Sequence, residues 1–268
     1  MTASTPRLGE RTALVTGGTS GIGFAVAGRL AREGVRVTLT SRSGKAAAES
    51  AQEIAATSGG HVTGIEADVR DADQISEACR LACLDGRLDI VVANAGIERA
   101  QHFLDTTRAD WDAVLETNLT GVFTTIQSAS RRMLDRGGRI VVVSSTNGFF
   151  VESNLTAYNA SKAGLIGLVR SAAIDLAAHS ITVNAVAPGL IATPMTESLV
   201  EHPAEAARYL DRIPLQRFGR PADVAAAVAF LSSPDAAWIT GHELVVDGGQ
   251  TIGMALPLDT FNAHAELQ

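Results

Sequence analysis

The chain has 268 residues, of which 46% are hydrophobic and 19% charged, a composition that excludes a disordered or collagen-like protein. Its formal net charge of −7 disfavours a nucleic acid or an anionic membrane as partner. No run reaches the roughly 18 apolar residues of a membrane span, and the N-terminal residues lack the apolar core of a secretory signal, so we expect a cytoplasmic protein. Only Lys45 and Lys162 among the 22 basic residues are lysines. Because Arg serves equally well as a surface charge, each lysine calls for an explanation.

Short β-branched runs alternate with longer alanine-rich segments of helical periodicity. Continuous apolar strands indicate burial on both faces, which is typical of a parallel sheet covered by helices. Strands are predicted at 12–16, 35–40, 61–66, 88–93, 139–144, 181–186 and 243–246. Helices are predicted at 21–32, 44–57, 72–84, 108–134, 157–178 and 221–232. With right-handed crossovers, this order predicts an α/β fold: a Rossmann-type doubly wound parallel sheet of about seven strands in a single domain, 1–268, in which 251–268 is a C-terminal tail.

A glycine-rich loop follows the first predicted strand. The strand at 12–16 leads directly into Gly17-Gly18-Thr19-Ser20-Gly21-Ile22-Gly23, and a helix follows. Glycines let the backbone approach a diphosphate closely, and the helix N-terminus favours its negative charge. Phe24 stands where a P-loop requires Lys, which excludes NTP hydrolysis of that type. The loop therefore predicts a dinucleotide site.

The end of the second predicted strand indicates which dinucleotide. An acidic residue there would bind the ribose hydroxyls and repel a 2′-phosphate, but this strand ends in Thr40-Ser41-Arg42. Because guanidinium binds phosphate through several donors, Ser41 and Arg42 favour NADP(H) over NAD(H). Lys45 is either a second phosphate ligand or a surface charge.

Tyr158 and Lys162 lie one turn apart on one face of a predicted helix. A tyrosine ordinarily has a pKa near 10, and a close cation together with an oxidised nicotinamide would lower that pKa toward 7. Such a phenol can exchange a proton at physiological pH. Lysine suits this position because Arg presents a wider planar group, which explains why Lys162 is retained.

Motifs spread along the chain together resemble one family. In order, they are Thr16-Gly17-x-x-x-Gly21-Ile22-Gly23, Asp68-Val69, Asn94-Ala95-Gly96, Asn118, Ser145, Tyr158-x-x-x-Lys162, Pro188-Gly189 and Asp247-Gly248-Gly249. Over about residues 9–250 the chain resembles the short-chain dehydrogenase/reductase family, in its short single-domain branch, which includes the 3-oxoacyl-carrier-protein reductases.

The resemblance implies a catalytic set. Tyr158 would exchange a proton with the substrate oxygen, and Ser145 would hydrogen-bond that oxygen. Lys162 would hold the nicotinamide ribose and lower the Tyr158 pKa. Asn118 would interrupt the long helix 108–134 and hold a water in a proton relay to Lys162.

The resemblance also implies cofactor contacts beyond the glycine loop. Asp68 and Val69 would bracket the adenine, and Asn94, followed by Ala95 and Gly96, would lie beside the ribose. Further contacts with the nicotinamide carboxamide would come from the segment containing Pro188, Gly189, Ile191 and Thr193.

Substrate walls are implied in the loop after Ser145 and the segment after Gly189. Besides Ser145 and Tyr158, the expected substrate contacts are Asn147, Phe149, Phe150 and Val151. With Met195, these residues indicate an apolar carbonyl or secondary alcohol. Segment 194–216 resembles a mobile lid over such sites.

We therefore expect an NADP(H)-dependent ketoreductase. The alternatives are a 3-oxoacyl-thioester reductase, an NAD-dependent alcohol dehydrogenase, and a non-catalytic cofactor-sensing protein. An enoyl reductase is disfavoured because that relative spaces its Tyr and Lys more widely. Cys79, Cys83 and the six scattered histidines show no ligand spacing, so no metal site is predicted.

Self-association is also implied by the resemblance. Helices 108–134 and 157–178 would form one contact between subunits, and the last helix with the last strand a second. The expected assembly is a homotetramer or a dimer.

Overall fold

The computed structural model describes residues 8–252. Seven strands form one sheet in which each paired strand runs parallel to its neighbour, in the order β3-β2-β1-β4-β5-β6-β7. The strands are β1 Thr12–Val15, β2 Arg36–Ser41, β3 Val62–Glu66, β4 Ile90–Ala93, β5 Gly138–Val143, β6 Ile181–Pro188 and β7 Glu243–Val246. The strand order reverses direction between β1 and β4, which creates a crevice at the carboxyl ends of these two strands.

Helices connect the strands and cover both faces of the sheet. They are α1 Gly21–Arg32, α2 Gly44–Ser58, α3 Ala72–Leu81, α4 Arg108–Leu115, α5 Gly121–Ser130, α6 Thr156–Leu176, α7 Glu197–Val200, α8 Pro203–Leu210 and α9 Pro221–Ser232. In the part of the chain that the structure describes, no helix is both long and apolar enough to cross a membrane.

Two apolar layers pack against the two faces of the sheet. One layer joins α1, α2 and α9 to inward side chains such as Val15, Leu39 and Val141. The other joins α3, α5 and α6 to side chains such as Leu14, Val91 and Ile140. Leu14 and Val15, successive residues of β1, point to opposite faces and are both fully buried. This two-sided burial is the reason why the strands are apolar throughout rather than alternating.

The predicted doubly wound sheet of about seven strands is confirmed. The long predicted helix 108–134 is divided into α4 and α5 by a π-helical segment, Glu116–Thr120, which contains Asn118, the residue that the resemblance implied would interrupt it. In this segment the N–H of Gly121 bonds to Glu116 O. Most of the predicted tail lies outside the described residues.

Candidate active site

A cleft of about 330 Å³ opens along the carboxyl ends of the strands. Most of the predicted site residues line it. They are Gly17, Thr19, Ser20, Gly21, Ile22, Ser41, Arg42, Asp68, Val69, Asn94, Ala95, Gly96, Ser145, Tyr158, Lys162, Pro188, Gly189, Ile191 and Thr193. The fold thus brings segments that are far apart in sequence to one crevice, at the switch point where open α/β sheets bind ligands.

The glycine loop between β1 and α1 is held by close backbone packing. Gly17 has a φ of +65°, and a Cβ there would lie 2.9 Å from Ala95 Cα. A Cβ on Gly23 would lie 2.2 Å from Gly17 O, so Gly23 shapes the loop from behind and is not part of the described cleft lining. The side chain of Asn94 donates to Thr16 O and Gly17 O, both at 3.0 Å. These contacts leave a cradle that a side chain would fill, as a dinucleotide site requires.

Polar groups at the far end of the cleft fit an adenosine moiety. Thr40 is 1% exposed, and its Oγ1 has no hydrogen-bond partner among the described residues, although the residue lines the cleft. Arg42 is exposed beside it. Asp68 is bound by Arg70, whose Nη2 donates to Oδ2 at 2.6 Å, and this bond lowers the pKa of Asp68. The cradle and the unpaired hydroxyl fit a nicotinamide dinucleotide.

Lys45 lies apart from this region. Its Nζ is 3.8 Å from Glu49 Oε1 on α2, and its side chain is 84% exposed. The described lining of the cleft does not include it. In this structure Lys45 is a surface charge, and its contact with a 2′-phosphate stays a prediction.

Asn118 lies in the π-helical segment and is fully buried. Its Oδ1 accepts from Ile97 N at 2.8 Å, while its Nδ2 donates to Ile97 O at 2.9 Å and to Ser161 Oγ at 3.2 Å. The side chain thus fastens the segment after β4 to α6, and both of its donors are used. Its predicted part in a proton relay to Lys162 stays a prediction.

Tyr158 and Lys162 lie on the first turns of α6, facing the cleft. Lys162 Nζ lies 5.4 Å from the centroid of the Tyr158 ring and donates to Val143 O, at the end of β5, at 3.0 Å. Lys162 is only 5% exposed, and burial lowers its pKa to about 8. A compact ammonium thus lies at the floor of the cleft beside the phenol.

Burial dominates the pKa of Tyr158 in the chain by itself. Burial, the largest cause, raises this pKa to about 12; a hydrogen bond with Ser145 acts to lower it, and the charges of Glu98 and Glu152 raise it further. The expectation of a value near 7 included the charge of an oxidised nicotinamide. The chain's own residues therefore favour the protonated phenol, and a fall of the pKa toward 7 beside an oxidised nicotinamide stays a prediction.

Ser145 follows β5 and is 7% exposed. Its Oγ accepts from the N–H of Asn147 at 3.2 Å and donates to Asn147 Oδ1 at 3.2 Å. The adjacent Ser144 also lines the cleft, and its hydroxyl acts on Glu243, at the start of β7, where it lowers the pKa of that carboxyl against the larger, raising effect of burial. Ser145, rather than Ser144, is the serine whose hydroxyl acts to lower the pKa of Tyr158.

The predicted substrate contacts after Ser145 lie outside the cleft lining that most of the other predicted site residues share. Asn147 is 7% exposed and faces Ser145, whereas Phe149, Phe150 and Val151 are exposed on the loop beyond. The described lining of the cleft includes none of these four residues, and their contact with substrate stays a prediction. Met195, next to Pro194 and Thr196, does line the cleft.

Sequence reasoning missed several groups at the site. Thr40 and Arg70 were overlooked because a hydroxyl and a guanidinium beside predicted contacts carry no pattern of their own. Glu98 and Glu152 act on Tyr158 although they are far apart in sequence, so only the fold brings them together.

Comparisons with known proteins agree with this geometry. A family model described as "Enoyl-(Acyl carrier protein) reductase" matches residues 17–251. The 3-oxoacyl-[acyl-carrier-protein] reductase FabG of Aquifex aeolicus is 43% identical over 246 residues, which are 91% of this chain and 98% of that protein.

Two solved structures have the same fold over most of this chain. A short-chain type dehydrogenase/reductase from Mycobacterium marinum superposes with a TM-score of 0.87 at 35% sequence identity. The match covers 93% of this chain and 98% of the Mycobacterium marinum chain. A structure from Agrobacterium tumefaciens, described as a 2-deoxy-D-gluconate 3-dehydrogenase with bound NADP, has a TM-score of 0.86 at 35% identity. The match covers 94% of this chain and 100% of the Agrobacterium tumefaciens chain.

The site and these relatives together define an NAD(P)-dependent oxidoreductase that acts on CH–OH and C=O groups. The chain belongs to the short-chain dehydrogenase/reductase family.

Proposed function

We propose that this chain is an NADP(H)-dependent ketoreductase that reduces an apolar ketone to a secondary alcohol. The observation that carries the proposal is the convergence of three groups, the hydroxyls of Ser145 and Tyr158 and the ammonium of Lys162, in a cleft that ends at Arg42. When bound, the nicotinamide cofactor supplies the hydride, and the protein supplies position and a proton.

The preference for NADP(H) rests on the far end of the cleft. Arg42 and Ser41 line this end beside the buried hydroxyl of Thr40. None of these three residues, with which β2 ends, is acidic. A guanidinium binds a phosphate through several donors. The bound NADP of the Agrobacterium tumefaciens structure supports the same preference.

The proton comes from Tyr158. Its phenol stays protonated at neutral pH and can pass the proton to a carbonyl oxygen that becomes an alkoxide. The phenolate that remains lies beside the Lys162 ammonium, which stabilises the negative charge. Lys162, with a pKa of about 8, is itself able to supply the proton that restores the phenol.

A small ketone is favoured over a carrier-protein thioester by the charges in and directly after segment 194–216, which contains α7 and α8. A carrier protein is acidic and calls for a basic patch, here Arg208, Arg212 and Arg217. Arg208 pairs with Glu205 at 3.3 Å and Arg217 with Asp223 at 2.7 Å, so two of the three guanidinium charges are neutralised. A 3-oxoacyl-thioester reductase is the second candidate, because the Aquifex aeolicus relative carries that name.

The test is a panel of ketones, secondary alcohols and a 3-oxoacyl thioester, assayed with NADPH and NADH in parallel. We expect NADPH oxidation with apolar ketones at higher kcat/KM than with the thioester, and lower activity with NADH. Tight NADPH binding without turnover of any member would contradict the proposal and favour the cofactor-sensing alternative.

The chain is further proposed to assemble as a cytoplasmic homotetramer. Apolar side chains on α5 and α6, Phe123 at 48% and Ile174 at 77% exposure, support contact between copies, as does Trp238, which is fully exposed beyond α9. Multi-angle light scattering tests this, and a monomeric mass would contradict it.

A further inference from the structure

The segment that follows β6, residues 188–193, is bonded to a buried glutamine near the end of the described chain. Gln250 Oε1 accepts from the backbone N–H of Leu190 at 3.1 Å, and Gln250 is only 7% exposed. This N–H makes no other hydrogen bond within the described residues. We propose that Gln250 is a positioning residue for the nicotinamide half of the cofactor, an inference that rests on the proposed NADP(H)-dependent reaction.

Segment 188–193 lies at the end of the cleft where the proposed reaction takes place. Its residues in the cleft lining are Pro188, Gly189, Ile191 and Thr193. β6 pairs with β5, whose last residue, Val143, accepts the hydrogen bond from Lys162. Arg42 follows β2, which is four strands away from β6, so the two ends of the cleft are roughly 19 Å apart at about 4.8 Å per strand. With the 2′-phosphate at Arg42, an extended dinucleotide places its nicotinamide beside segment 188–193.

The backbone of this segment depends on Gln250 at one peptide. The N–H of Gly189 donates to Val246 O at 3.1 Å, and the carbonyl of Leu190 accepts from Gly219 N at 3.0 Å. Between these two bonds, the Leu190 N–H has the Gln250 side chain as its acceptor. A Cβ on Gly189 would lie 2.6 Å from Gln250 Oε1, so the glycine permits this close approach.

A second cavity, of about 230 Å³, borders the same segment. Leu190 and Ile191 form part of its lining, together with Leu215 and Val245. The segment therefore has open space on two sides, the cleft and this cavity, and packing alone does not fix its position. The hydrogen bond from Leu190 N–H to Gln250 supplies a fixed point that the apolar contacts lack.

Gln250 is itself held by a tight turn after β7. Asp247 Oδ1 accepts from Gly249 N at 2.9 Å, and Asp247 Oδ2 accepts from Thr251 N at 2.8 Å. The N–H of Gln250 donates to the backbone carbonyl of Asp247 at 3.2 Å. Because its backbone is bonded on both sides, Gln250 presents its amide oxygen to Leu190 from a fixed position.

Loss of the Gln250 acceptor should affect one half of the cofactor. A backbone N–H that loses its acceptor inside the protein raises the free energy of that conformation, so segment 188–193 should shift. The nicotinamide then loses a well-positioned neighbour, whereas the glycine loop and Arg42, which face the diphosphate and the adenosine, keep all their contacts. A residue with only a general structural role would not make this distinction between the two halves.

The test compares NADPH with 2′,5′-ADP, a fragment that lacks the nicotinamide riboside. Gln250→Met removes the acceptor at nearly constant side-chain length. By isothermal titration calorimetry, it should weaken NADPH binding about tenfold and 2′,5′-ADP binding less than about twofold. Gln250→Glu keeps an oxygen at the same position in either protonation state, so both affinities should stay within about threefold of wild type.

Two further variants complete the design. Thr251→Val is the matched control, because it removes the 2.7 Å bond from Thr251 Oγ1 to Asp247 Oδ2 in the same turn and leaves the Gln250–Leu190 bond intact; both affinities should stay at the wild-type level. Gln250→Asn, whose side chain is one methylene shorter, withdraws the acceptor and replaces Gln250→Met if that variant does not fold. Should the wild type bind NADH more tightly than NADPH, NADH and ADP are the two ligands.

The outcomes separate this proposal from the proposed function. The calorimetry requires no turnover, so failure of the ketoreductase proposal would appear in the substrate panel alone. The role of Gln250 is overturned if Gln250→Met weakens both ligands equally or neither of them. It is also overturned if Thr251→Val produces the same selective loss of NADPH binding.

Discussion

Lys162 Nζ lies 5.4 Å from the centroid of the Tyr158 ring and donates its one protein hydrogen bond within the described residues to Val143 O at 3.0 Å. Burial shifts the two pKa values away from each other, raising that of the phenol to about 12 and lowering that of the ammonium to about 8. At neutral pH the pair therefore holds a protonated phenol beside a charged amine, as ketone reduction requires. Burial of the charged amine lowers the free energy of unfolding, a cost that a purely structural site would not carry.

Tyr158→Phe should abolish turnover while the fold and the cofactor site remain intact. In the proposed reaction the phenol is the proton donor, and general acid catalysis contributes about 10²–10⁴-fold to the rate. We therefore expect kcat to fall at least about 10²-fold, with NADPH affinity within about threefold of wild type, since the rest of the cleft is unchanged. Steady-state assays and fluorescence titration measure the two quantities. Substantial remaining activity would refute the assignment of the acid.

Lys162→Met should be inactive yet more stable. The pKa of Lys162 is lowered from 10.5 to about 8, so the unfolded chain binds this proton more tightly than the folded one. The wild-type free energy of unfolding should therefore gain from rising pH between about 8 and 10.5, and the charged amine should cost stability below that window. We expect the variant to exceed wild type by about 2 kcal/mol at pH 7, after allowance for the lost bond to Val143.

Urea unfolding of the wild type and of Lys162→Met at several pH values measures how the stability difference between them changes with pH. The advantage of Lys162→Met should shrink as the pH rises above 8. Equal stabilities at neutral pH, or a gap that widens with pH, would contradict it.

Arg42→Ala should impair NADPH use selectively. Loss of a charge-assisted bond to the 2′-phosphate should raise the KM for NADPH about 10–100-fold and leave the KM for NADH nearly unchanged. Lys45→Ala is the matched control, because Lys45 is a cation three positions further along that is exposed and faces Glu49 instead of the cleft. A similar effect of Arg42→Ala on both cofactors would argue against NADP(H) preference, as would an equally large effect of Lys45→Ala.

Gly23→Ala and Gly28→Ala place the same methyl group on α1 with opposite expected results. At Gly23 the methyl would lie 2.2 Å from Gly17 O and 2.4 Å from Asn94 Nδ2, so the glycine loop must shift. We expect a loss of about 1–3 kcal/mol in the free energy of unfolding and weaker NADPH binding. At Gly28 the nearest atom is Arg32 Nη1 at 3.6 Å, and the higher helix propensity of Ala should add up to about 1 kcal/mol.

Thermal unfolding and cofactor titration of the two variants distinguish these effects. Equal effects of the two substitutions on stability and on NADPH binding would contradict the view that Gly23 is needed for close packing of the glycine loop.

The sequence was sufficient where local chemistry decides structure. The apolar runs placed the strands, and helical periodicity located α1 and α9 with the bounds that the structure shows, 21–32 and 221–232. The long helix was less predictable. A π-helical segment has no hydrophobic periodicity by which the sequence could reveal it. In the structure, Asn118 of this segment bonds to Ile97 and Ser161, which lie on other parts of the fold.

By itself, the sequence determined the sheet, the glycine loop and the Tyr158–Lys162 pair, whose spacing along one helix is a local property. It also singled out Lys162 among 22 basic residues, because a compact ammonium has no substitute there. Only the tertiary structure decided that the side chain of Lys45 is exposed beside Glu49, that burial raises the pKa of Tyr158, and that Asn147 faces Ser145. Those outcomes depend on burial and on partners distant in sequence, since the solvation and hydrogen bonding of a polar group are set by the folded surroundings rather than by its neighbours along the chain.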